Sequence, residues 1–236
     1  MLAGVQLYRH LARELEADCQ AHGLSIDPEP RGGDRGLFSL PLGELAEEYV
    51  RLLCRAQQEG AFYLAGFSFG GILAYEVARR LRGRGREVAH LWLLDAVLPT
   101  PPGSWWPSLK RIARLPVRRQ ARVITREIGY GLRLLLRDPR PPEGCAAESA
   151  LLGHEQRTNA YFKAAKAYLQ EIGPYEGATT LVIAQRRLHE DPLLDPLCGW
   201  GPHIPRLKVR RVDAPHLDLL SAPHVREVAA SFPARG

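Results

Sequence analysis

The stretch that most limits what this chain can fold into is Gly66-Phe67-Ser68-Phe69-Gly70-Gly71. An apolar and aromatic run, Ala61 to Ala65, precedes it and reads as a buried strand. Ile72 to Leu81 follow, with Leu73, Val77 and Leu81 at helical spacing. A Gly-x-Ser-x-Gly between a strand and a helix is the setting of a nucleophile elbow, where a strained turn lifts the serine hydroxyl clear of a sheet. Gly66 and Gly70 are expected to supply the room that such a crossing needs. The hydroxyl then sits at a helix N-terminus, and the backbone N–H of Phe69 can donate to a developing oxyanion. The alternative is a glycine-rich turn in which Ser68 merely caps the helix.

With 236 residues, 45% hydrophobic and 25% charged, the chain has the size and balance of one large α/β domain, with or without an inserted cap. No apolar run approaches the roughly 20 residues of a membrane helix. The first residues also lack the basic-then-apolar pattern of a secretory leader, so a cytoplasmic location is expected and a membrane partner is not. Cys19, Cys54, Cys145 and Cys198 lie too far apart for metal-ligand spacing and are expected to be reduced packing residues. Residues 101–141 hold ten basic side chains against Glu127 and Asp138, a net +8 within a chain of net +6. A solvated helix face or an acidic partner would account for this segment. Nucleic acid is not expected, because no recognition motif accompanies the charge.

Leu7, Leu11 and Leu15 mark an amphipathic helix over 5–17, and residues 19–24 carry a weak strand pattern. Prolines and glycines make 27–43 a loop. A helix is expected from Leu45 to about Gln58, burying Leu45, Tyr49, Leu52 and Leu53. Gly83 and Gly85 should stop the helix after Ser68. Residues 88–94 form a second core strand that ends at Asp95. Residues 99–150 break the alternation, opening on Pro99, Pro101 and Pro102 and continuing as basic helix, and read as a lid inserted over the site. A helix over 155–171, strands over 179–184 and 207–212, and a terminal helix near 223–232 complete the pattern.

Chemistry follows from where the strands end. In an open parallel sheet the site lies beyond the strands' carboxyl ends, and one right-handed crossover makes the strands before Ser68 and Asp95 neighbours. Of the eight histidines, only His216 combines a strand-end loop with the order Ser…Asp…His of α/β-hydrolases. Ser68 is thus the candidate nucleophile, His216 the general base and Asp95 the acid that orients it. Asp191, after another late strand, is the runner-up acid.

Gly66 to Glu76, Leu93-Leu94-Asp95 and Asp213-x-x-His216-x-x-x-Leu220 closely resemble the thioesterase domains of modular nonribosomal peptide and polyketide synthases. Pro174-Tyr175-x-Gly177 and Leu197-x-Gly199-Trp200 are similar to further segments of those domains. The resemblance implies an α/β-hydrolase fold over 1–236, a mostly parallel sheet flanked by helices with a helical lid at about 99–150. It favours Asp95 over Asp191. It implies no cofactor, and a substrate presented as a thioester on the phosphopantetheine arm of an acyl or peptidyl carrier protein. Release is then by hydrolysis or cyclisation. Family members also carry an interior strand and a glycine turn ahead of the helix that here holds Tyr8, with the turn giving the second oxyanion N–H. That donor would fall at Met1 or Leu2, and the first core strand is expected to be missing. A generic carboxylester hydrolase, or a binding domain weakened at that turn, are the alternatives.

Overall fold

The computed structural model describes residues 5–16, 19–24, 40–99, 163–186 and 195–232. Met1 and Leu2, Asp191, Cys145, and the lid and basic segment beyond Pro99 lie outside the described residues.

A 3₁₀ turn, Val5–Tyr8, leads into α1, Arg9–Leu15. α2 (Leu42–Ala56), β1 (Phe62–Phe67), α3 (Phe69–Gly83) and β2 (Val88–Leu94) follow. Helical residues 163–168 form α4, and β3 (Thr179–Ala184), β4 (Leu207–Val212) and the short α5 (Val225–Ala229) close the order. The four strands make one parallel sheet in the order β1-β2-β3-β4. All four strands lie where their apolar or β-branched runs predict them. The expected strand over 19–24 is absent, and those residues are exposed. Six weakly patterned residues with His22 and Gly23 give a sheet face nothing to bury.

Alternation splits the core. Leu91, Leu93, Leu181 and Ile183 pack with α2 and α3 on one face, while Trp92, Leu94, Val182 and Ala184 pack with α1 and α5 on the other. With both faces covered, β2 and β3 carry continuous apolar runs, Leu91 to Leu94 and Leu181 to Ala184, as parallel strands between helix layers do. α3 ends in a Schellman turn: Arg86 N–H donates to Leu81 O at 3.0 Å and Gly85 N–H to Arg82 O at 2.9 Å. Gly85 supplies the φ of +73° that this turn requires. On α2, Leu45, Tyr49 and Leu53 are partly buried against the core, as expected, but the fully buried stripe lies beside them. It runs through Leu42, Gly43, Ala46 and Val50, and Leu52 is exposed. The helix starts three residues earlier than expected, and small residues at 43 and 46 let it lie close to α3.

Candidate active site

Ser68 joins β1 to α3 with φ 54° and ψ −123°, a backbone state that costs a non-glycine residue about 1–3 kcal/mol. It occupies the cap position of α3, yet its side chain makes no capping bond. This argues against the capping alternative and leaves the strain for another purpose. The crossing is tight where β1 meets α3. A Cβ on Gly66 would stand 2.1 Å from Gly70 O, and one on Gly71 would stand 2.4 Å from the Ala96 Cβ. Gly70 is different from expectation, since its added Cβ would meet only the Tyr8 hydroxyl, at 3.3 Å. Gly66 and Gly71 therefore make the room, rather than Gly66 and Gly70.

Asp95 follows β2 and is fully buried, with a φ of 45°. Three bonds fix it. Its N–H donates to Val182 O at 2.7 Å, its Oδ1 accepts the Ala184 N–H at 3.0 Å, and its Oδ2 meets His216 Nδ1 at 2.5 Å. A buried carboxylate needs such partners to offset its lost hydration. His216 opens a 3₁₀ turn, His216–Asp218, after β4. Its ring stacks on Phe67, with centroids 4.7 Å apart and planes 19° from parallel. With Nδ1 donating to Asp95, Nε2 is the nitrogen left to act as a base.

Thus the structure brings Asp95 and His216 into contact and sets His216 against Phe67, the residue before Ser68. Among the described residues no hydrogen bond joins Ser68 to His216. Phe69, the expected oxyanion donor, is the first residue of α3.

Several neighbours make contacts that the sequence pattern does not give. Trp200 is buried and donates its indole N–H to Ala96 O at 2.7 Å, holding the chain just after Asp95. Phe67 N–H donates to the Tyr8 hydroxyl at 2.8 Å. Glu76, 4% exposed inside α3, accepts from Arg79, from Arg80 at 2.7 Å and from the Tyr168 hydroxyl at 2.6 Å. These contacts tie α4 to the helix that carries the elbow. The Tyr168 hydroxyl is pushed well above its usual range, first by burial and then by the Glu76 carboxylate. Among the described residues no cluster of His, Cys, Asp and Glu could hold a metal, and no helix is long and apolar enough to cross a membrane.

A family model for the thioesterase domain matches residues 1–235. Enterobactin synthase component F of Escherichia coli K12 is 28% identical over 211 residues, covering 89% of this chain and 15% of that protein. Vanchrobactin synthetase VabF of Vibrio anguillarum is 25% identical over 222 residues, covering 94% of this chain and 7% of that protein. The chain thus spans a small fraction of the curated relatives it matches. Among solved structures, the NocB thioesterase domain in covalent complex with a fluorophosphonate nocardicin G analogue aligns with a TM-score of 0.62 and 26% identity. That alignment covers 96% of this chain and 87% of the other. The RedJ thioesterase of Streptomyces coelicolor aligns with a TM-score of 0.59 at 21% identity, covering 96% of this chain and 84% of that one. With the parallel sheet and its flanking helices, these likenesses show an α/β-hydrolase fold.

Proposed function

This chain belongs to the thioesterase domain family, and on that premise we propose that it is a serine thioesterase with Ser68 as nucleophile, His216 as general base and Asp95 as orienting acid. Its substrate is an acyl, peptidyl or polyketide chain held as a thioester on the phosphopantetheine arm of an acyl or peptidyl carrier protein. One observation carries the reading: the strained Ser68 and the buried Asp95, which is hydrogen-bonded to His216, lie at the same ends of the adjacent parallel strands β1 and β2.

Ser68 Oγ attacks the thioester carbonyl as His216 Nε2 takes its proton, and the carbonyl electrons move onto oxygen beside the Phe69 N–H. The buried Asp95 charge stabilises the imidazolium that forms. When the tetrahedral species collapses, the C–S bond breaks and the imidazolium returns its proton to the departing thiolate. Water, or a nucleophile within the acyl chain, then attacks the Ser68 ester with the same histidine as base. The Ser68–His216 hydrogen bond this requires forms on substrate binding, as catalytic bonds often do. No cofactor of the domain's own enters these steps.

Carrier-linked chemistry draws support from relatives that are named synthases and synthetases. The basic segment 101–141 also suits an acidic carrier surface. The family match over 1–235 favours one thioesterase domain, whose lid would span about 99–150.

The test mixes the protein with a loaded carrier protein and measures intact mass. An acyl adduct on Ser68, lost in Ser68→Ala together with turnover, is the expected result. Undiminished turnover by Ser68→Ala would rule the mechanism out. Faster cleavage of oxygen esters than of pantetheine thioesters would point instead to a carboxylester hydrolase.

A further inference from the structure

We infer that the Tyr8 hydroxyl donates a hydrogen bond to the oxyanion that forms at Ser68, beside the Phe69 N–H. The inference rests on the acyl-transfer reading above and adds to it a side-chain donor from the 3₁₀ turn ahead of α1.

The amides of β1 alternate in direction. Ser68 N–H donates across the ladder to Leu94 O at 2.8 Å. Adjacent amides of a strand point to opposite sides, so the Phe67 N–H faces away from β2. There it meets Tyr8 Oη at 2.8 Å. The same oxygen lies 3.3 Å from where a Cβ on Gly70 would stand. Tyr8 Oη therefore reaches both residues that flank Ser68-Phe69, on the side of the elbow opposite Asp95.

Its hydrogen-bond inventory is half used. A phenol accepts through its lone pairs and donates one proton. Phe67 takes up acceptor capacity, and among the described residues no acceptor takes the Tyr8 proton. Burial raises the hydroxyl above its ordinary range, with Tyr49 adding a smaller push, so it stays protonated at neutral pH. Tyr8 is partly buried, and a donor held in place with no protein acceptor is ready when negative charge appears beside it. That is the condition for lowering a barrier rather than tightening substrate binding.

The experiment compares wild type with Tyr8→Phe and with a fluorinated tyrosine at position 8, whose phenol ionises well below that of tyrosine. Two rates are read: kcat on an acyl-pantetheine thioester, and phosphonylation of Ser68 by a fluorophosphonate, which also develops charge on oxygen. Tyr8→Phe should lower both by roughly 10²-fold, with KM little changed. For the fluorinated variant the ratio to wild type at each pH cancels the titration of His216 and of the other groups both proteins share. That ratio should fall as the phenol ionises, because a phenolate accepts from Phe67 at least as well but cannot donate. Rates of Tyr8→Phe within threefold of wild type, or a ratio that is flat or rising with pH, would overturn the inference while leaving the Ser68 mechanism standing. A wild type labelled at Ser68 but inert to thioesters would overturn the thioesterase reading, with the inference still judged by the labelling rates. A wild type that is never labelled at Ser68 would overturn both.

Discussion

Replacing Asp95 by asparagine separates charge from shape, and the structure fixes how the amide must turn. Oδ1 accepts the Ala184 N–H and Oδ2 meets His216 Nδ1. In the variant the amide oxygen must stay on Ala184, because an NH₂ there would face another donor in a fully buried site. The NH₂ is then forced toward His216, which must present its Nδ1 lone pair and carry its proton on Nε2. That tautomer cannot take a proton from Ser68. Loss of the correct tautomer costs about 10⁴ in kcat, or about 5.4 kcal/mol of barrier. The fold should survive, since a buried charge has been exchanged for a neutral isostere. The assay is steady-state turnover of an acyl-pantetheine thioester, with the nitrogen chemical shifts of His216 reporting the tautomer. Asp191→Asn serves as the comparison and should leave kcat within a few-fold. An Asp95→Asn variant within tenfold of wild type, with its Nε2 unprotonated, would refute the reasoning, and a 10⁴ loss in Asp191→Asn would move the acid to that position.

Alanine at the elbow glycines should destabilise in the order Gly66, Gly71, Gly70, following added-Cβ contacts of 2.1, 2.4 and 3.3 Å. The first two meet groups that cannot swing aside and should each cost about 2 kcal/mol or more in denaturant unfolding, the last under about 1. Glu76→Ala leaves Arg79 and the Tyr168 hydroxyl without this acceptor while Arg80 keeps Glu47, and urea titration should show a loss of about 2–3 kcal/mol. Acid should weaken the fold through His90 and His203. Both are held below their usual range, mainly by burial, with Lys208 acting on His90 and Arg79 on His203. The unfolded chain then binds more protons, so their contribution is whole above about pH 6.5 and is lost as pH falls through the lower folded values. The urea midpoint should drop between pH 7 and 5, and drop less in His90→Asn.

The central strands are legible because burial on both faces favours apolar runs such as Leu91 to Leu94 and Leu181 to Ala184, and β4 is legible from Leu207, Val209 and Val212. The proposed set of Ser68, Asp95 and His216 can be picked out because strand ends and chain order are local signals. The supporting contacts are not legible, because they join residues distant in sequence. Glu76 is met by Tyr168 from 92 residues away. Trp200 reaches Ala96 across 104 residues, and Tyr8 reaches Phe67 across 59. The most deeply buried residues of α2 are not legible for a different reason. Apolar periodicity gives no weight to Gly43 or Ala46, although small residues are what a close helix pair requires.

The proposed catalytic edge is a staircase in which the strained Ser68 and Asp95 are each the next rung of the ladder. Ser68 and Asp95 both sit at positive φ, and each uses its own N–H to extend the sheet one residue past its strand, to Leu94 O and Val182 O. A backbone bond contributes about 0.5–1.5 kcal/mol net, against about 1–3 for each strained conformation. The rungs alone therefore do not hold the strain. The balance comes from what flanks them: the close β1–α3 crossing at Gly66, the Trp200 bond to Ala96, and the buried strands on either side. Changes at those supports should lower kcat before they unfold the protein, because the first conformations to relax are those of Ser68 and Asp95. Trp200→Phe is the clean case, since it keeps the ring against Tyr75 while leaving Ala96 O unpaired. Its kcat should fall at temperatures where its circular dichroism still matches wild type. Parallel loss of both signals would mean that the strain is spread through the whole core rather than held at this edge.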